Sequence, residues 1–133
     1  MMPNIRPSQV YIAKTQISPQ SIAAAGNALS AWIAVPPGSK WAVIDTLTGV
    51  LGGGSEQIDV LQATTVGGTG SKALVTNLRT EAVNNVTDQD EVNLDTMDIN
   101  NGFSFVQVRC TNTGGTGALV AVRVAFGPNE FAA

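Results

Sequence analysis

The sequence contains no histidine and a single cysteine, and aromatic residues make up only 5% of it. Without histidine, the Ser-His-Asp and Cys-His catalytic arrangements and every His-ligated metal site lie outside the reach of one chain. One cysteine, Cys110, leaves no internal disulfide and no CxxC redox or zinc pattern, so stability has to come from packing. Charged residues are also scarce, at 13% against a usual share of roughly a quarter. With 44% hydrophobic residues beside them, the chain is expected to fold. The balance of 7 Lys plus Arg against 10 Asp plus Glu gives a net charge of -3 and no electrostatic footprint for phosphate backbones, so nucleic acid is not an expected partner. No apolar run approaches the ~18 residues of a membrane span, and Met1-Met2-Pro3-Asn4-Ile5-Arg6 opens no signal-like apolar stretch. A soluble, unexported protein without a membrane partner is expected.

What is present is strand grammar. Val-, Ile- and Thr-rich runs recur at Leu29 to Val35, Trp41 to Thr48, Gln57 to Ala63, Lys72 to Leu78, Glu91 to Asp95, Phe103 to Thr111 and Ala118 to Phe126. Between them lie Gly, Pro and Asn clusters such as Pro36-Pro37-Gly38, Gly52-Gly53-Gly54 and Gly114-Gly115-Thr116-Gly117. Turns this short imply antiparallel neighbours. In the last two runs Val106, Val108 and Cys110 share one face, as do Val120, Val122, Val124 and Phe126, which predicts a terminal hairpin with its apolar faces together. The run at Trp41 is apolar on both faces, which places it centrally in a sandwich or under another subunit. Gln20 to Leu29 is Ala-rich and favours helix by propensity, while a strand followed by a turn at Gly26-Asn27 fits an all-β chain equally well.

Together these features predict one all-β domain over residues 20–133, an antiparallel β-sandwich or jelly roll of about eight strands. An immunoglobulin-like order is the near alternative. Residues 1–19, punctuated by Pro3, Pro7 and Pro19, read as an extended N-terminal arm. Its β-prone run, including Val10, Tyr11, Ile12 and Lys14, is the candidate partner-binding segment, suited to adding a strand to a neighbour's edge.

The remaining constellations favour structure over chemistry. Asp88-Gln89-Asp90-Glu91 is a carboxylate cluster, but it lacks the Gly and terminal Glu spacing of a calcium loop and reads as a solvated turn and edge strand. Gly67-Gly68-Thr69-Gly70-Ser71-Lys72 misses the phosphate-loop spacing and reads as a turn. Cys110 reads as a core thiol, and Trp32 and Trp41 as core aromatics. No catalytic, cofactor or metal residues are assigned, and no enzymatic activity is expected.

The stretch Leu61-Gln62-Ala63-Thr64-Thr65-Val66-Gly67-Gly68-Thr69-Gly70-Ser71-Lys72-Ala73-Leu74 resembles segments of small structural proteins of tailed bacteriophages. So does Asn101-Gly102-Phe103-Ser104-Phe105-Val106-Gln107-Val108-Arg109, followed by its Gly/Thr turn and Val-rich final strand. Within that group the pattern, spanning about Ala31 to Phe126, is most similar to capsid cement or decoration proteins, small jelly-roll modules that clamp neighbouring major capsid subunits. The resemblance implies a virion structural protein, made in the host cytoplasm and placed on the outer capsid surface, with the major capsid protein as partner. Self-association as a homodimer or homotrimer is the matching expectation, since lattice sites lie on symmetry axes. The alternative is a virion or tail module that adheres to carbohydrate through Trp32, Trp41 or Tyr11.

Overall fold

The computed structural model describes residues 14–129. The strands in chain order are β1 (Lys14–Ala23), β2 (Asn27–Leu29), β3 (Ile33–Ala34), β4 (Ser39–Thr48), β5 (Ser55–Ala63), β6 (Lys72–Glu81), β7 (Val86–Asn93), β8 (Phe105–Thr113) and β9 (Gly117–Asn129). Two short 3-10 turns, Leu94–Thr96 and Ile99–Asn101, lie between β7 and β8. One sheet has the order β1-β9-β4-β7 and the other β2-β8-β5-β6, with β3 also pairing β8, and the pairings are antiparallel. The chain crosses from sheet to sheet at nearly every connection, and β5 and β6 are the consecutive long strands that pair directly. This is the order of a jelly roll, and it sets aside the immunoglobulin-like alternative.

The core lies between the sheets. Ile44 of β4, Val92 of β7 and Val120, Val122 and Val124 of β9 face Ile58 and Val60 of β5 and Val106, Val108 and Cys110 of β8, all at most 2% exposed. The alternation that marks these residues in the sequence is therefore real. The terminal hairpin it suggested does not form, because β8 and β9 belong to different sheets. Two strands with one apolar face each satisfy the same pattern side by side or face to face across a core. Here β4 and β5 take the lateral positions beside β9 and β8, leaving the pair to meet across the sandwich.

The expected arm is corrected at its end. Residues 14–19 run in β1 and pair with β9, so the boundary expected at 19/20 falls inside a strand. Ile17 is buried at 2% and belongs to the core. Pro19 is tolerated because β1 is an edge strand whose register shifts between Ile17 and Gln20, where a missing N–H costs no ladder bond. The Ala-rich stretch takes its strand form: it ends β1, turns through Ala25 (φ 57) with the Gly26 N–H donating to the Ala23 carbonyl at 2.9 Å, and enters β2. Sheet pairing outweighs the helical preference of alanine.

Candidate binding face

Of the predicted partner-binding residues, Val10, Tyr11 and Ile12 lie outside the described residues. Lys14 is exposed and opens β1 opposite Val124. The other candidates separate. Cys110 is fully buried, as a core thiol should be. The tryptophans do not join the core. Trp32 is half-buried with its indole over the backbone of Gly68, in the space a Cβ would fill, and Gly68 has a φ of +84 that favours glycine. That contact, with the Gly68 N–H bonded to the Thr65 carbonyl at 3.0 Å and the Thr69 N–H to Thr65 Oγ1 at 3.2 Å, gives the glycine-rich segment a structural role as a turn. Trp41 is 37% exposed at an outward position of β4. Trp32 thus lies in the β2–β3 connection against the 67–70 turn, while Trp41 lies on the outer face of β4 in the other sheet.

The acidic stretch is edge strand, as expected, but with no turn within it. Asp88, Gln89, Asp90 and Glu91 all lie in β7, paired with Thr46, Asp45, Ile44 and Val43 of β4. Asp88 and Asp90 alternate in phase with buried Val92 and turn inward, while Gln89 and Glu91 face out. Among the described residues no group of three His, Cys, Asp or Glu side chains converges to hold a metal ion.

The outer face of the β1-β9-β4-β7 sheet is where the unusual composition lies. Its two central strands, β4 and β9, expose Trp41, Leu47 and Leu119 there, while Val43, Ala121 and Ala125 on the same face are buried. A polar row crosses the middle: Gln89 Nε2 donates to Asp45 Oδ1 at 2.9 Å, and Arg123 Nη2 lies 3.6 Å from Asp45 Oδ2. On one side of that row an open groove of about 440 Å³ runs between Pro19, Leu47, Val86, Leu119 and Ala121. Leu47 is 38% exposed, Leu119 47% and the adjoining Val50 51%. The Gly49 N–H donates to the Leu119 carbonyl at 2.9 Å and the Leu119 N–H to the Val50 carbonyl at 3.0 Å, so the aliphatic side chains project from a tied backbone. Such a face offers apolar contact area on a rigid support. A smaller hollow of about 340 Å³ lies elsewhere, among Val35, Pro36, Leu94, Met97 and Phe103. The double-sided apolar character of β4 was visible in the sequence. The contribution of Leu119 was not, because its apolar neighbours in β9 point the other way.

No family model matches this chain, and no sequence among the curated proteins matches it. Solved structures give distant likenesses. PirA aligns over 84% of this chain and 94% of its own at 13% identity, with a TM-score of 0.49. The C-terminal CBM6 of LamC, a marine laminarinase from Zobellia galactanivorans, aligns over 90% and 95% at 13% identity, with a TM-score of 0.47. The Tobacco streak virus coat protein aligns over 98% and 91% at 10% identity, with a TM-score of 0.38. The jelly-roll assignment of this chain stands on its own strand order.

Proposed function

We propose that this chain is a non-enzymatic structural protein of a virion, a cement or decoration module that binds the outer surface of the major capsid shell and stabilises it. The observation that carries the reading is the aliphatic groove on the outer face of β4 and β9, since this is the surface through which a rigid module would grip a protein partner. The phage-like segments support it: 61–74 falls on the end of β5, its turn and the start of β6, and 101–109 leads into β8, so both lie within the sandwich. Covering Leu47, Leu119 and Val50 on binding contributes about 1 kcal/mol each. The partners in this reading are the major capsid protein and further copies of the chain as a dimer or trimer. Synthesis in the host cytoplasm and residence on the virion exterior follow from the same reading. The net charge of -3 fits contact with protein better than with nucleic acid.

The test uses tailed-phage heads stripped of their decoration protein. The wild-type protein is expected to co-sediment with them and raise their rupture temperature. Leu47→Glu combined with Leu119→Glu should weaken binding at least about tenfold while leaving circular dichroism unchanged, because both side chains already face water. Failure of the wild-type protein to bind, or indifference of binding to the double substitution, overturns the reading.

A further inference from the structure

β6 and β7 are the last strands of their respective sheets on one side of the sandwich, so their inward side chains close that side. Beside the apolar Leu78 and Val92, these closing side chains include a charged cluster. Arg79 Nε and Nη2 grip Asp90 Oδ2 and Oδ1 at 2.7 and 2.9 Å, and Arg79 Nη1 lies 3.4 Å from Asp88 and 3.9 Å from Glu81. Behind them is Glu56 of β5, fully buried and directly opposite Glu81 in the β5–β6 register. Three carboxylates therefore share the Arg79 guanidinium, and Glu56 lies behind them without a cation of its own among the described residues. Three oxygens of this region are buried without a hydrogen-bond partner: Thr46 Oγ1, Glu56 Oε1 and Asp88 Oδ2. Ionised carboxylates in that state are costly, and a proton on each of the crowded groups removes the cost.

We propose that this side of the sandwich is a proton-operated clasp, in which one proton on Glu56 and one shared by Glu81 and Asp88 hold β6 and β7 together, and their loss loosens this side while the β1–β2 side stays closed. Burial pushes Glu56 up to about 7, and the charges of Glu81 and Asp88 add to the rise. Interaction with Glu81, and then burial, raises Asp88, while the same interaction lowers Glu81, as expected of two carboxylates competing for one proton. From β4 the cluster is faced by the uncharged Thr46 and Thr48, and Thr48 Oγ1 donates to Glu56 Oε2 at 3.3 Å. From β8 it is faced by the Cys110 thiol, which burial and then Glu56 push up, so that it stays protonated. From β7 it is faced by Asp90, held by Arg79. Asp59 of β5 lies on the other face, tied to Arg109 at 3.1 Å, and Asp45 and Glu91 point outward.

Amide hydrogen exchange of the intact protein at pH 6 and pH 8.5, corrected for intrinsic rates, tests the clasp. Peptides from β6 and β7 should lose about tenfold in protection at the higher pH while those from β1 and β2 keep theirs. Glu56→Gln combined with Asp88→Asn should abolish the difference. Carboxyl-carbon NMR of the wild-type protein reads Glu56 directly whether or not that variant folds, and a midpoint near neutrality is expected. Equal loss of protection on both sides, no loss at all, or titration of Glu56 as an ordinary glutamate overturns the proposal.

Discussion

The two long sides of the sandwich are closed by different chemistry. Where β1 faces β2, Ile17, Ile22 and Ala28 fill the gap, and a polar hub is Asn112, 1% exposed. Its Nδ2 donates to the carbonyls of Ile22, Ala23 and Gly115 at 3.1, 3.2 and 3.2 Å, and its Oδ1 accepts the Gly115 N–H at 3.2 Å. That hub is neutral and saturated, so it ties β8, the end of β1 and the turn before β9 at any pH. Where β6 faces β7, the polar groups are ionisable, outnumber their cation and leave buried oxygens unpartnered. The lesson is that burial of polar groups stabilises when every donor and acceptor is met without charge, and becomes conditional on protons when it is not.

The largest expected effect tests the saturated side. Asn112→Ala strips partners from three carbonyls and one N–H, and should cost about 3 kcal/mol in urea unfolding, equally at pH 6 and pH 8. A cost that varies with pH would break the contrast between the sides.

A smaller effect should appear in the wild-type stability profile. The folded pKa of Glu56 is raised from 4.5 to about 7, so its contribution is full below pH 4.5 and is lost as pH rises through about 7. The raised Asp88 has the same sign. Chemical unfolding should show a decline of about 2 kcal/mol across that window, and Glu56→Gln should flatten it. At the acid end the sign reverses. Burial alone would raise Asp59, but hydrogen bonds from the Asn77 N–H, Gln57 and Arg109 outweigh it and hold its carboxyl below 3.8. Lys72, 2.6 Å away, holds Asp98 below 3.8 in the same way. Both contributions are present above that value and are lost as pH falls through the lowered values.

The smallest effect concerns the cation. Arg79→Lys keeps the charge but cannot make the two-pronged contact with Asp90. With 31% of the Arg79 side chain exposed and solvent screening the pair, the loss should be about 1 kcal/mol, read as a modest fall in thermal midpoint.

Much of the fold was legible. The runs at Trp41, Gln57, Lys72, Phe103 and Ala118 fall on β4, β5, β6, β8 and β9, and their inward residues are those that alternation marks. β7 was legible only at its end, because the inward members of its alternation, Val86, Asp88, Asp90 and Val92, include two acids that read as solvent-facing. Arg79, Glu81 and Glu56 were missed for the same reason, although Glu56 stands in phase with Ile58 and Val60 and so carried an inward signal. The binding face was half legible: β4 announced two apolar faces, while Leu119 stood out only once β9 lay beside β4.

The sequence by itself determined that this chain is built of strands, where most of them turn and which side chains of each strand face the core, because a period of two and the chemistry of glycine, proline and asparagine act within a few residues. It also determined that no histidine or internal disulfide takes part. The tertiary structure alone decided which strands are neighbours. It sent β8 and β9 to opposite sheets, drew residues 14–19 into β1 and brought Glu81, Asp88 and Asp90 around one arginine with Glu56 buried opposite Glu81. Those outcomes depend on residues far apart in the chain competing for the same edges and the same buried volume, and local pattern does not encode which competitor wins.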